Sequence, residues 1–227
     1  MYLLKSTLLV NWLLYLKFSL SVWSGLLFQG GFSFEIDFIT CLHDYLIVSL
    51  IFICFIRAYF MFSCFGFISF FSYLTERHRL ELFWILIPSV VLFSLSFPSI
   101  VSLYFIEEFF DPVFSFKTIG HQWFWSYEGG GIFEDFDSFM EDSIVIRLLK
   151  GGKLFCIPRL VFVRNLISSL DVIHSWSVPS LGVKADAVPG RLNQVFLFRK
   201  NNCLVIGQCS EICGSNHSFM PIVLTFF

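Results

Sequence analysis

The chain has 227 residues, a mean hydropathy of +0.77 and a net charge of −2. Its length allows one or two domains, and its hydropathy lies well above that of soluble globular domains. The slightly acidic balance excludes the basic surface that a nucleic-acid partner requires. Residues 1–110 hold most of the long apolar runs, whereas charges, glycines and prolines intersperse residues 111–227 as in an ordinary folded domain.

Residues 1–28 are apolar and serine-bearing, with Lys5 and Lys17 and no acid before Glu35. Lys17 interrupts the run, so neither half spans a bilayer alone, and residues 1–40 read as a leader or interfacial segment, with a third span as the rival reading. Residues 41–110 read as a two-span hairpin. The run 45–74 would be ~45 Å long as a helix, more than a bilayer core needs, and only Arg57 breaks it. A mid-membrane arginine calls for a structural role, by snorkelling or by an ion pair with another subunit. Residues 82–105 carry no charge, and Pro88 and Pro98 are tolerable in a membrane helix. The connection TERHRLE carries Arg77, His78 and Arg79, whereas Glu107, Glu108 and Asp111 follow the second span. Positive charge marks the cytoplasmic or matrix side, which places residues 111–227 in the periplasm or intermembrane space.

From Val113 onward, short runs separated by turn signals read as strands: SIVIRLL, KLFCI, LVFVRNLI, NQVFLF, CLVIGQ and MPIVLTF. So many short strands predict an antiparallel sandwich or barrel. No glycine-rich phosphate loop leads from a strand into a helix.

Seven cysteines, an odd number with one tight pair, fit a metal site better than a set of disulfides. The pair is Cys209 and Cys213, in CSEICGSNHSFM, with His217 four residues further and Met220 three beyond that. Thiolate, imidazole and thioether together suit copper, and a structural zinc site has little use for methionine. A second histidine must come from elsewhere; His121 and His174 are the candidates. With His174 on one copper and His217 on the other, two thiolates could bridge a metal pair. Met220 and a backbone carbonyl would then be weak further ligands. The competing reading is a Cys209–Cys213 disulfide.

CSEICGSNHSFMPIV, DVIHSWSVPSLGVKADAVPGRLNQ and GHQWFWSYE resemble subunit II of cytochrome c oxidase, in its mitochondrial form. The resemblance runs in order over residues ~43–227 and includes HD at 43–44, ELFWILIP at 81–88 and FEDFDSFM at 133–140. It implies two transmembrane helices plus an all-β cupredoxin-like Greek-key barrel domain over residues 111–227. That domain would carry CuA, a dinuclear copper centre held by His174, Cys209, Cys213, His217, Met220 and the carbonyl of Glu211. The resemblance also implies that the Glu211 side chain reaches a magnesium ion shared with the catalytic subunit, and that Trp123 is the entry point for electrons from cytochrome c. Trp125 and Tyr127 alternate with Trp123 and are expected to share its strand face. Acids near the entry point would attract a basic cytochrome c; Glu128 and Asp171 are the strongest candidates, with Glu134, Asp135 and Asp137 behind them. Glu81 would lie at the mouth of a proton channel in the catalytic subunit. The expected setting is the mitochondrial inner membrane, with subunits I and III, accessory subunits and lipid as neighbours. Oxygen reduction itself would occur in the partner subunit. The first ~40 residues, Arg57 and the end at LTFF depart from the family pattern. Quinol oxidase subunits share the fold without the copper ligands, so the full ligand set argues against that alternative.

Overall fold

The structure is a computed structural model that describes residues 28–31, 33–66, 76–107, 111–131, 134–142 and 147–227. Most of the predicted leader, residues 1–27, lies outside the described residues, as do residues 67–74 of the first apolar run.

Two helices form one unit. Helix α1 (Phe34–Gly66) begins well before the apolar run, because Glu35 and Asp37 occupy its first turn, where the amide end of the helix dipole favours acids. It thus takes in residues 34–40, at the end of the expected leader. Helix α2 (His78–Glu107) runs through Pro88 and Pro98 without ending. Both are long and apolar enough to cross a membrane. Their outward faces are apolar side chains such as Phe55, Phe65, Phe93 and Tyr104, as a lipid-facing surface requires. Phe38 of α1 stacks on Phe105 of α2, with ring centroids 5.1 Å apart.

Among the described residues of the rest of the chain there are ten strands: β1 (Phe114–His121), β2 (Phe124–Glu128), β3 (Phe136–Ser138), β4 (Phe155–Ile157), β5 (Val163–Ser169), β6 (His174–Val178), β7 (Val183–Ala187), β8 (Asn193–Leu197), β9 (Cys203–Gln208) and β10 (Pro221–Phe226). They pair in the orders β3-β2-β1-β5-β8, β4-β10-β9 and β6-β7. The sheets are mixed rather than purely antiparallel: β1 pairs with β5, and β10 with β4, in parallel. Alternation in a strand reports which face is buried, not the direction of its neighbour, so sequence pattern could not show this. The expected strand over 143–149 is also corrected. Residues 143–146 lie outside the described residues, and 147–149 form a turn in which Leu148 has φ +66°, a conformation that extended chain does not adopt.

The inward side chains make a main core, and Leu204, Ile206 and Val223 form a smaller one. Alternation in β5 buries Val163, Asn165, Ile167 and Ser169, and Trp125, Tyr127, Phe116, Phe155, Trp176, Val205, Ile222 and Leu224 fill the interior. Asn165 would be costly there unpaired; Thr118 donates to its Oδ1 at 2.7 Å. Strand β9 lies so close to β6 that a β-carbon on Gly207 would sit 1.9 Å from the Ser177 carbonyl oxygen. This approach sets His174 and the end of β9 side by side.

Candidate metal centre

The twelve residues 209–220 connect β9 to β10. Register closes the loop at its base, where Gln208 pairs with Pro221. Two further devices shape it: Gly214 at φ +128°, a conformation essentially reserved for glycine, and a short 3-10 turn over His217–Phe219. The Ser210 amide donates to the Ser175 carbonyl at 3.0 Å, which ties the loop to β6 beside His174.

The soft side chains converge. Cys209 Sγ lies 3.9 Å from His174 Nδ1 and 3.4 Å from the Glu211 carbonyl oxygen. Cys213 Sγ lies 3.4 Å from His217 Nδ1 and 3.6 Å from Met220 Sδ. The two sulfurs are 4.0 Å apart, about twice a disulfide bond length, and both cysteines are free. His174, Cys209, Cys213 and Met220 are buried. Each thiol thus has one imidazole and one weaker donor beside it, and the sulfurs face each other. Two thiolates, two imidazoles and two weaker donors suit a pair of soft, redox-active metals, and the donor set fits copper. His121 is not part of the cluster; it stacks on Phe124, with centroids 4.5 Å apart.

The electrostatics favour one thiolate readily and the second only with help. Burial disfavours a charged Cys209, but hydrogen bonds from His174, backbone amides and His217 bring its pKa down to about 7. Burial and the neighbouring Cys209 charge push Cys213 up to about 12. A bound cation would supply the compensating charge. His174 Nε2 meets Asp171 Oδ1 at 2.9 Å. Burial lowers the His174 pKa, but Cys209 and Asp171 outweigh it and hold the ring above its ordinary value. Burial likewise opposes the Asp171 charge, but hydrogen bonds from His174 and the amides of Val172 and Gln122 hold its carboxyl below the ordinary value. A carboxylate on the far nitrogen fixes the tautomer and leaves Nδ1 free to ligate.

Trp123 differs from the sequence expectation. It lies in the turn between β1 and β2, outside the strand. Only Trp125 and Tyr127 share the inward face, both essentially fully buried. Trp123 is half-buried and packs against the core from the loop side. Of the acids, Asp171 serves His174. Glu128 pairs with Lys117 Nζ at 3.2 Å. Asp135 accepts the Gly129 amide, and Asp137 the Ser126 hydroxyl. The Glu211 side chain is exposed. Glu81 stands in the first turn of α2, with His78 at 3.6 Å.

Two residues of the site escaped the sequence reading. Gln122 donates from Nε2 to the Cys213 carbonyl at 2.8 Å, and its amide donates to Asp171 Oδ2 at 2.6 Å. Gly120 leaves room for the His174 ring, which a β-carbon would meet at 2.8 Å. Both belong to GHQWFWSYE, a stretch whose sequence signal lies in its aromatics.

An apolar helical hairpin, a mixed-sheet β-domain and a largely buried two-thiolate, two-imidazole cluster at the end of that domain define a membrane-anchored, cupredoxin-like copper protein of electron transfer. The comparisons specify the family. The model of the periplasmic domain of cytochrome c oxidase subunit II matches residues 114–226, and that of its transmembrane domain matches residues 21–101. The second match begins upstream of residue 43, where the resemblance first becomes legible by motif. Cytochrome c oxidase subunit 2 of Apis koschevnikovi is 41% identical over 215 residues, 90% of this chain and 93% of the relative. That of Aedes aegypti is 41% identical over 212 residues, with 90% and 92% covered. The crystal structure of the periplasmic domain of subunit II from Bradyrhizobium japonicum superposes with a TM-score of 0.50. It is 36% identical and covers 52% of this chain and 86% of its own. The chain belongs to the cytochrome c oxidase subunit II family. It is a respiratory-chain subunit of a haem-copper oxidase with a copper-binding domain, whose family role is electron entry through CuA.

Proposed function

We propose that His174, Cys209, Cys213, His217, Met220 and the Glu211 carbonyl hold the two copper ions of CuA, and that cytochrome c docks beside Trp123. The observation that carries this reading is the convergence of two free thiols 4.0 Å apart, each with its own imidazole within 3.9 Å. When bound, the copper pair supplies a one-electron relay whose charge is shared over two metals and two thiolates, so that little geometry changes on transfer.

The chain's own residues set the conditions for that relay. Cys209 and Cys213 would supply the thiolates that hold the metals, and His174 and His217 the imidazoles. Asp171 holds the His174 tautomer. The buried walls around Cys213 and Met220 keep water from the sulfurs. Trp123 provides a half-exposed aromatic surface in contact with the ligand loop. Glu128, Glu134, Asp135 and Asp137 give the β1–β3 side an acidic character that suits a basic cytochrome. The exposed carboxylate of Glu211 is available to a magnesium ion at the junction with subunit I, since a hard cation prefers carboxylate oxygen. Glu81, at the loop end of α2, would serve a proton-channel mouth in the catalytic subunit.

The proposed division is residues 1–40 as leader or interfacial segment, its end overlapped by the start of α1, 41–110 as hairpin and 111–227 as copper domain. The setting is the mitochondrial inner membrane, with the β-domain in the intermembrane space and subunits I and III as neighbours. The test is a copper count with electron spin resonance on the purified oxidase. Two coppers contributed by this chain, sharing one unpaired electron when oxidised, are expected. One copper or none overturns the dinuclear assignment, as does a Cys209→Ser variant with intact electron uptake.

A further inference from the structure

We infer that Arg57 marks the face of α1 that docks a membrane helix of a partner oxidase subunit, and that this helix carries an aspartate or glutamate at mid-depth. Arg57 is the only charged residue between Asp44 and Glu76. At the helical rise it lies ~20 Å from Asp44 and ~13 Å from Gly66, so it sits well inside a hydrocarbon core ~30 Å thick. Its side chain leaves the helix toward the N-terminal end. In that direction VSLIFICFI offers no charged group, and an extended arginine covers only part of the way to Asp44.

The hairpin does not supply the counter-charge. The two helices meet where Phe38 stacks on Phe105, 19 positions along α1 from Arg57. Residues 82–105 hold no acid at all. Arg57 is exposed, and among the described residues no carboxylate of the hairpin lies within ion-pair distance. A guanidinium presents five donors in a planar fork. Lipid tails accept none of them. Charged residues within membrane spans pair with one another or face a protein interior. The group that matches the fork's charge and geometry is a carboxylate, and in this assembly it must come from another chain.

The experiment uses the assembled oxidase in membranes. A photo-crosslinking residue placed at Ile53 or Phe60, one turn either side of Arg57, is expected to capture a membrane-spanning peptide of another oxidase subunit that contains Asp or Glu. Capture of lipid alone, or of a helix without a carboxylate, overturns the proposal. Arg57→Met should lower co-purification of the captured subunit by more than about tenfold, whereas Arg57→Lys retains most of it, because removing one partner of a buried pair strands the other. Converting the partner's carboxylate to its amide should reproduce the loss, and combining both changes should recover association. Undiminished co-purification of Arg57→Met, with the chain still in alkali-washed membranes, is the contrary result. If that variant fails to insert, the crosslinks decide.

Discussion

Gly214 lies against the indole of Trp123: a β-carbon on the glycine would stand 3.2 Å from both Trp123 Nε1 and Cζ2. Gly214 follows Cys213 directly, so the proposed entry aromatic and a thiolate ligand are one residue from contact. Gln122, the neighbour of Trp123, binds the Cys213 carbonyl and reinforces the junction. Gly214→Ala would add a methyl to this contact at φ +128°, a strain of about 1–3 kcal/mol. The expected outcome is slower reduction by cytochrome c, by about tenfold or more, in a subunit that still binds copper. Stopped-flow reduction beside a copper count checks it; unchanged kinetics would remove Trp123 from the entry route.

Asp171 tests whether its first duty is docking or orientation. Its carboxylate takes His174 Nε2 and the Gln122 amide, which leaves only part of it for a cytochrome. Asp171→Asn should weaken copper retention by about 10–100-fold in competition with a chelator, and Glu128→Gln should leave it unchanged. A docking role alone predicts the opposite pattern: a cytochrome affinity that falls in both variants and rises again at low salt, with copper held normally.

The proposed ligand set was legible because chemistry and spacing coincide in one loop, and the hairpin because apolar runs of that length suit little but a bilayer. What joined them was less legible. His174 is 35 positions from Cys209 along the chain, and nothing in a strand pattern says that β6 and β9 come together. The parallel pairing of β1 with β5 is equally silent in alternation. Trp123 misled because period two was carried through a turn. Gln122 and Gly120 act through a backbone carbonyl and through empty space, and neither leaves a compositional mark.

Gly207 carries the approach of β9 to β6 and can be tested directly. A methyl there would sit 1.9 Å from the Ser177 carbonyl oxygen, and backbone cannot yield as a flexible side chain would. Gly207→Ala should cost about 3 kcal/mol and displace β6, with His174 at its start, from Cys209. Both the thermal midpoint and the copper stoichiometry should fall. A lowered midpoint with full copper binding would mean that the loop, rather than β6, sets the His174 position.

The stability of the domain should decline on the alkaline side for a reason independent of the metal ligands. Cys203 is buried at the start of β9, and burial pushes its pKa from 9.0 up to about 12, against the opposing influence of Arg199. Burial also raises Tyr127 above its ordinary 10.0. In both cases the fold keeps the neutral form, whereas the unfolded chain ionises earlier. From pH 9 upward for Cys203, and from pH 10 upward for Tyr127, the unfolded state therefore binds fewer protons, and stability falls with rising pH by up to ~1.4 kcal/mol per unit for each such group. Below pH 9 neither group contributes a slope. Thermal midpoints at pH 7.5, 9.5 and 10.5 should decline across the last two, and Cys203→Ala should shallow that decline while Tyr127 keeps part of it. An unchanged slope in Cys203→Ala would show that the thiol ionises as freely in the fold as in the open chain.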